Sequence, residues 1–264
     1  MNVTRRRVNV IVAVFIGLLF AGLVMPSVLH VCRSASRMSC GYKLKSLALA
    51  EANYESTYGY RPLGTCPNPK LQPDQRFSWC FSLLPYLGRN DIYPSSKMDM
   101  TWDDPANPGS QVYCSDFVCP SRPDYKMTRN TSYLGMAGIG ADAATLPTND
   151  SRSGIYGYDH KVRKEDIKDG YSNTISLLES CTGGQWAQGG PGSVRELVAS
   201  QGPYFGEMQS FGSWHSESFD YSFSTKKIGQ AAMADGSIRT FLSTTSPELL
   251  EALATINGGE RVRE

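Results

Sequence analysis

The chain has 264 residues, and its 26 lysine and arginine side chains almost balance its 25 aspartate and glutamate side chains, leaving a formal charge of +1. With 41% hydrophobic and 19% charged residues, it is too apolar to be a disordered chain and too evenly charged to bind nucleic-acid phosphates. Its mean hydropathy of −0.31 also excludes a membrane protein with many spans.

The first predicted element is a long apolar helix. Residues 8–31 carry no formal charge, and as a helix they would extend about 36 Å, enough to cross a hydrocarbon core of about 30 Å. We therefore expect a retained transmembrane anchor. The three arginines at 5–7 leave a cleaved signal peptide open as an alternative. A lipoprotein processed at Cys32 is a third interpretation, although Val31 is a poor residue to precede the modified cysteine.

This anchor divides the chain into three parts. Residues 1–7 are expected in the cytoplasm, residues 8–31 in the lipid bilayer, and residues 32–264 outside the cytoplasm. Positive charges on the two sides of the span are nearly equal, so this orientation depends on the tendency of long C-terminal domains to be translocated regardless of charge.

The helix is predicted to continue past the bilayer, to a total of about 50 residues. No proline occurs between Pro26 and Pro62, and Gly59 with Pro62 supplies the end. One face has the spacing of a stripe that packs on a core: Leu44, Leu47, Ala48 and Tyr54. A second apolar face is expected to pack on another subunit or, equally, on lipid and another part of the same chain: Val28, Val31, Ala35, Met38, Tyr42 and Leu49.

After Pro62 the chain consists of short apolar segments separated by turn-forming residues, which indicates an α+β class. Residues 175–178 are predicted to form a buried strand. Residues 228–234 and 237–242 flank Asp235-Gly236, which predicts a hairpin whose turn requires positive φ. Residues 247–254 are expected to form a closing helix with Ser246 as its N-cap.

Five cysteines of the exported part are available for disulfides. The first pairs to expect are Cys66 with Cys80 and Cys114 with Cys119, although spacing does not fix connectivity. The alternative for Cys114-x4-Cys119 is a zinc site, but no second close pair completes a tetrahedral set.

Two further patterns suggest ligand sites. Asp99, Asp103 and Asp104, near Asn107, supply the oxygen ligands that calcium prefers, although the same residues are also typical of a plain turn. Aromatic side chains in glycine-rich loops are candidates for stacking on sugars, or equally for anchoring the core: Trp186, Trp214, Tyr204 and Phe205.

His215 is a candidate catalytic base, since Ser213 and Asp235 could complete a Ser-His-Asp set. No G-x-S-x-G elbow or H-E-x-x-H motif frames it. A hydrolase is therefore the less favoured hypothesis, and a structural His215 is preferred. We expect no cofactor.

Ordered motifs over about 230 residues, taken together, resemble a known family. They include Ser34-Ala35-Ser36-Arg37, Tyr54 to Gly59 with Pro62, Leu83-Leu84-Pro85-Tyr86-Leu87, Trp102-Asp103-Asp104-Pro105, Phe117-Val118-Cys119-Pro120-Ser121, Asp169-Gly170-Tyr171-Ser172-Asn173-Thr174, Glu179 and Asp235-Gly236. The layout is similar to prepilin-like proteins of the type IV pilin and type II secretion pseudopilin superfamily. It is closer to a bacterial family of unknown function with a pilin-like start and a C-terminal His…Asp-Gly motif, here His215, Asp235 and Gly236.

The resemblance implies a long N-terminal helix packed on an antiparallel β-sheet head with long loops. It also implies a non-enzymatic protein of the bacterial inner membrane that contacts the bilayer and pseudopilin-like or envelope partners. A membrane-tethered module that binds a glycan or another solute is the alternative function. Two departures are present: Asn9 stands where prepilins carry glutamate before the helix proline, Pro26, and His215 lies 20 residues before Asp235, farther than in the family.

Overall fold

The long N-terminal helix is continuous. In the computed structural model, which describes residues 2–93, 96–199, 202–206, 209–218 and 225–259, α1 (Asn2–Tyr58) has 57 residues. It ends at Gly59, whose φ of +77° is a conformation that favours glycine after a helix. Pro26 lies within α1, and its side chain is outside the described set. The predicted single helix is therefore confirmed.

The chain divides into two compact units, Met1–Ser39 and Cys40–Glu264. The first unit consists of the beginning of α1, where large apolar side chains are half exposed or more: Val8, Val10, Ile11, Val12, Val14, Phe15, Ile16, Leu18, Leu19 and Phe20. Over the residues that the structure describes, no helix combines the length and the apolar character needed to cross a membrane.

The second unit is built on a sheet of six strands. These strands are β1 (Tyr133–Ile139), β2 (Ile175–Glu179), β3 (Val194–Leu197), β4 (Ser216–Ser218), β5 (Thr225–Met233) and β6 (Ile238–Leu242). Their order is β3-β1-β2-β5-β4, with β6 also paired to β5. The expectation of an antiparallel sheet is wrong in one place, because β1 and β3 run parallel. The unit is thus α+β with a mixed sheet.

The two faces of the sheet support separate hydrophobic clusters. Successive strand residues point to opposite faces, so Tyr133 of β1 and Leu177 of β2 join the cluster that contains the later part of α1. Leu134 and Leu178, one residue on, join a second cluster. The second cluster contains α3 (Pro247–Ala254), which has the predicted bounds and in which the Ser246 hydroxyl accepts a hydrogen bond from Leu249 N. The short helix α2 (Trp79–Leu83) belongs to the first cluster.

The predicted core stripe of α1 is largely buried. Leu44 and Leu47 are fully buried and Ala48 almost so, whereas Tyr54 is partly buried at the edge of the same cluster. On the second apolar face Tyr42 is 77% exposed and Leu49 is 62% exposed. The expectation that this face packs on another part of the same unit is therefore wrong for these two residues.

The Asp235-Gly236 hairpin forms as predicted between β5 and β6. Gly236 has a φ of +79°, as the turn requires. The Asp235 carboxylate accepts hydrogen bonds from the backbone N–H and the hydroxyl of Ser237. Partial burial raises the pKa of Asp235, but these hydrogen bonds, together with the charges of Arg239 and Lys45, lower it below its ordinary value.

Candidate functional site

Four potential ligand side chains converge inside the second unit: Cys40, Cys119, Glu179 and His215. Cys40 comes from α1, Cys119 from the loop before β1, Glu179 from the last position of β2, and His215 from the residue before β4. Their sulfur, nitrogen and oxygen atoms all lie within 4.8 Å of one another, and all four residues are buried. Among the described residues, this is the one such group of three or more metal-ligating side chains. We call it the Cys-His-Glu cluster.

A disulfide joins the two cysteines of the cluster. Cys40 and Cys119 are bonded, with their Cα atoms 5.4 Å apart. The predicted pairs Cys66–Cys80 and Cys114–Cys119 are wrong, since Cys66, Cys80 and Cys114 form no disulfide in the described structure. Cys32 and Cys40, which lie on the same helix, are not bonded to each other. Helix α1 instead presents Cys40 to a loop 79 residues away.

The unpaired thiols are poor candidates for a zinc site. Burial raises the pKa of the Cys66 thiol to about 11 and that of Cys114 to about 12. Burial also raises the pKa of Cys80 well above its ordinary value. Among the described residues, none of these three thiols belongs to a group of three or more metal-ligating side chains. The alternative zinc pair Cys114-x4-Cys119 is not formed either, because Cys119 is bonded to Cys40.

The imidazole of His215 is held between sulfur and oxygen groups. Its Nε2 lies 3.5 Å from Sγ of Cys119, and its Nδ1 lies 3.5 Å from Oγ of Ser121. The backbone is fixed by Ser213, whose hydroxyl accepts a hydrogen bond from His215 N and donates one to Ile228 O. The ring is therefore oriented with Nε2 towards the disulfide and Nδ1 towards the Cys119-Pro120-Ser121 turn.

Glu179 is a buried carboxylate with one unused oxygen. Its Oε2 accepts a hydrogen bond from Gln230 N on β5 at 3.1 Å. Its Oε1 lies 3.6 Å from Nε2 of His215, but within the described part of the chain it has no hydrogen-bond partner. An unsatisfied buried oxygen costs about 1–3 kcal/mol, more when charged. A disulfide alone does not explain why the fold retains this group.

Asp235 is not part of the cluster. Ile228 N donates to His215 O, whereas Asp235 follows Met233 at the other end of β5, beyond about 16 Å of strand. The less favoured Ser213-His215-Asp235 set is therefore not assembled. The carbonyl of Gly236 instead accepts a hydrogen bond from Lys45 of α1, so the Asp-Gly turn supports the packing of this helix.

The acidic residues proposed for calcium do not converge on a common point. Asp104 caps its own turn by accepting a hydrogen bond from Ala106 N. The Asn107 side chain is occupied by the backbone of Lys97 and Thr101. Asp99 and Asp103 belong to no metal-ligating group among the residues described. The turn interpretation accounts for this segment.

The aromatic residues proposed for sugar stacking are mostly in the core. Trp186 is fully buried, donates from Nε1 to Val112 O at 2.8 Å, and stacks on Phe117 with ring centroids 5.5 Å apart. Tyr204 and Phe205 are also buried. Trp214 is half buried beside Arg122. Of the two open interpretations, anchoring of the core is therefore confirmed for the first three.

A buried ion pair joins two residues that the sequence patterns did not single out, Glu51 and Arg61. Glu51 of α1 accepts hydrogen bonds from Arg61, from the Ser176 hydroxyl and from the Tyr156 hydroxyl. Arg61 also pairs with Glu55 at 2.9 Å. Burial raises the pKa of Glu51, and the charge of Arg61 opposes that effect. These contacts fix α1 and the chain after it against β2.

A pattern in the sequence could have revealed both buried groups of α1. Cys40 and Glu51 fall on the same i, i+4, i+7 series as Leu44 and Leu47, so all four share one face. Polar residues on a core stripe are expected to find partners when buried. Glu179 follows the same logic, because it comes directly after the segment that the sequence predicts to be a buried strand, residues 175–178.

One protein family matches this chain, over residues 33–248, a span that holds the whole Cys-His-Glu cluster. No curated protein and no solved structure matches it. Because the match covers more than half of the sequence, the chain belongs to the family of proteins of unknown function designated DUF1559.

Proposed function

We propose that this chain is a non-enzymatic, single-pass envelope protein of pseudopilin-like type. Residues 8–31 would hold it in the bacterial inner membrane, and the unit Cys40–Glu264 would act outside the cytoplasm in a structural, secretion-related or surface-interaction role. The observation that carries the proposal is the uncharged segment 8–31, because large apolar side chains are exposed at its described positions, between Val8 and Phe20 and at Val28 and Val31. Such a surface is stable when lipid covers it.

The disulfide supports placement of the second unit outside the cytoplasm. Disulfides such as Cys40–Cys119 persist in oxidising compartments and are rare in the reducing cytosol. The resemblance to pilin-like proteins agrees with this placement, since their heads are exported. The solute-binding alternative is weaker, because Trp186 is in the core and not at the surface.

Membrane attachment can be tested by charge insertion. Leu19→Arg places a charge within the uncharged segment, which costs about 2.5–3.5 kcal/mol at the centre of a membrane helix. The matched control is Met127→Arg, at a methionine of the second unit that is 83% exposed. We expect wild type and Met127→Arg to remain in the membrane pellet after alkaline carbonate extraction, and Leu19→Arg to lose membrane retention. Release of the wild-type chain would refute the anchor.

The exposed face of α1 within the second unit suggests where a partner would bind. Tyr42 and Leu49 are large apolar residues that this unit leaves uncovered, and we assign the face to a helix of another pilin-like envelope chain. A photo-crosslinking amino acid at position 42 should give a defined adduct in cells, whereas the same probe at Met127 should not. Equal labelling at both positions, or none, would contradict the assignment.

A further inference from the structure

We propose that the Cys-His-Glu cluster is a redox-dependent zinc site. After reduction of the Cys40–Cys119 disulfide, the two thiolates, Nε2 of His215 and Oε1 of Glu179 would bind one Zn²⁺. This goes beyond the proposed envelope function and does not depend on it. The disulfide and the metal would be alternative crosslinks between the same elements of the second unit.

The types of ligand fit zinc better than other common cations. Zinc binds sulfur, imidazole nitrogen and carboxylate oxygen in tetrahedral sites, whereas calcium and magnesium prefer oxygen alone. Two thiolates and one carboxylate around Zn²⁺ leave a net charge of −1, the same as in the known Cys3His structural sites. Four protein ligands leave no open position for a substrate, so the site would be structural and not catalytic.

The unused oxygen of Glu179 points independently to a ligand. Glu179 is 1% exposed, and its Oε1 has no hydrogen-bond partner among the described residues, although it faces Nε2 of His215. A metal ion between these two atoms would satisfy both. The disulfide itself requires neither group, since a structural disulfide is stable among apolar side chains.

The surrounding contacts also suit a metal site. Metal-bound histidines and carboxylates are normally oriented by hydrogen bonds through their remaining polar atoms. With Nε2 on the metal, Nδ1–H of His215 would face Oγ of Ser121 at 3.5 Å. Oε2 of Glu179 is already held by Gln230 N. Both non-sulfur ligands are therefore oriented before any metal arrives.

The conversion needs a reductant, which is a small thiol or a dithiol protein. Two thiols supply two electrons and two protons, so that the Cys40–Cys119 bond breaks, two cysteine thiols form, and the reductant becomes a disulfide. Binding of Zn²⁺ then releases the two thiol protons. The sulfur atoms must move apart on metal binding, because each would lie about 2.3 Å from the ion.

The proposal can be tested with the full-length chain purified in detergent. The chain is reduced with a phosphine, freed of metal with a chelator, and titrated with Zn²⁺, while Co²⁺ serves as a spectroscopic probe of tetrahedral thiolate ligation. We expect one Zn²⁺ per reduced chain and none per oxidised chain. Equal binding by both forms, or no binding by the reduced form, would overturn the proposal.

Single substitutions test which side chains bind the Zn²⁺ ion. Glu179→Gln keeps the shape and the acceptor for Gln230 N, and should weaken Zn²⁺ binding at least about tenfold. His215→Gln and Cys40→Ser should remove the thiolate–Co²⁺ spectrum or shift it. Cys114→Ser is the matched control and should leave the spectrum unchanged. A spectrum that depends on Cys114, or that ignores Glu179 and His215, would contradict the assignment.

The effect of reduction on folding provides a further test of zinc binding. Metal binding stabilises the folded state when the site is absent from the unfolded chain. If reduction lowers the helical circular dichroism, one equivalent of Zn²⁺ should restore it in wild type but not in Cys40→Ser. A reduced chain that zinc fails to restore would overturn the proposal.

Discussion

Nζ of Lys45 on α1 donates a hydrogen bond of 2.6 Å to the carbonyl oxygen of Gly236, in the turn between β5 and β6. This contact joins the first helix of the chain to its last hairpin. The Asp-Gly turn therefore contributes to the docking of α1, and the positive φ of Gly236 accounts for the glycine in it.

We expect Gly236→Ala to lower the free energy of unfolding by about 1 kcal/mol, because alanine is strained at positive φ. The nearest atoms to the added Cβ, Lys45 Nζ at 3.7 Å and Ala48 Cβ at 3.9 Å, are at ordinary contact distance, so the cost is conformational. Urea unfolding measures it. Gly59→Ala, also at positive φ but with no atom near its Cβ, should cost a similar amount. An unchanged midpoint for Gly236→Ala would show that the turn has another conformation.

The cysteine pairing gives a second prediction. Alkylation of the unfolded chain without reductant should modify five of the seven cysteines, because two are consumed by Cys40–Cys119. Mass spectrometry of the digest should show these two in one crosslinked peptide. Cys119→Ser should lower the free energy of unfolding by about 2–5 kcal/mol, whereas Cys32→Ser, at an exposed position on α1, should have little effect. A crosslinked Cys66–Cys80 peptide would contradict the structure.

The buried ion pair of Glu51 and Arg61 gives a third prediction, which concerns stability. Glu51→Ala leaves Arg61 buried without this partner, and such losses cost about 3–5 kcal/mol of unfolding free energy. Asp142→Ala breaks an exposed pair with Arg152 and should cost about 0–1 kcal/mol. Glu51→Gln, which keeps an acceptor for Ser176, should lower the free energy of unfolding by an amount between these two. Equal losses for Glu51→Ala and Asp142→Ala would mean that the network contributes no more than a surface pair.

Local signals in the sequence predicted several of the regular elements, but not α2, β1, β3 or β4. The continuous helix, the strand after residue 174, the turn at Gly236 and the Ser246 cap all follow from periodicity or from residues with one preferred conformation. The parallel pairing of β1 with β3 is not predicted, because it depends on how a long glycine-rich connection returns to the sheet.

The cluster itself could not be predicted for the same reason. Cys40, Cys119, Glu179 and His215 are separated by tens of residues, and only the packing of α1 against the sheet brings them together. Spacing along the chain favours disulfides between nearby cysteines, so it predicts a pair of Cys114 with Cys119. The burial of Cys40 on the Leu44 face was available from the pattern, but its partner was not.

The burial of His160 predicts that the free energy of unfolding depends on pH. Burial lowers the pKa of His160 below its ordinary value, so the folded state keeps it neutral while the unfolded state titrates near about 6.5. As the pH falls through that value, the unfolded chain binds more protons than the folded chain, and the free energy of unfolding therefore decreases. We expect the stability of wild type relative to His160→Phe to fall between about pH 7.5 and pH 5.5. Parallel curves for the two proteins would show that His160 does not contribute.

Substitutions at Trp186 distinguish a role in the hydrophobic core from a role in ligand binding. It is fully buried, its Nε1 donates to Val112 O, and its ring stacks on Phe117. Trp186→Ala should therefore lower the free energy of unfolding by about 3–5 kcal/mol. Trp186→Phe should cost less, because it retains the ring contact and loses the hydrogen bond. Tyr42→Ala, at an aromatic residue that is 77% exposed, should change stability by less than about 0.5 kcal/mol.

Chemical denaturation of the three variants checks this order. A tryptophan that stacks on a sugar would give the opposite result, with unchanged stability in Trp186→Ala and a loss only in ligand binding. Because the indole ring packs inside the same hydrophobic cluster as Leu44 and Leu47 of α1, its removal should also loosen the docking of this helix. Hydrogen exchange of the α1 backbone around residues 44–47 should then accelerate in Trp186→Ala and stay unchanged in Tyr42→Ala.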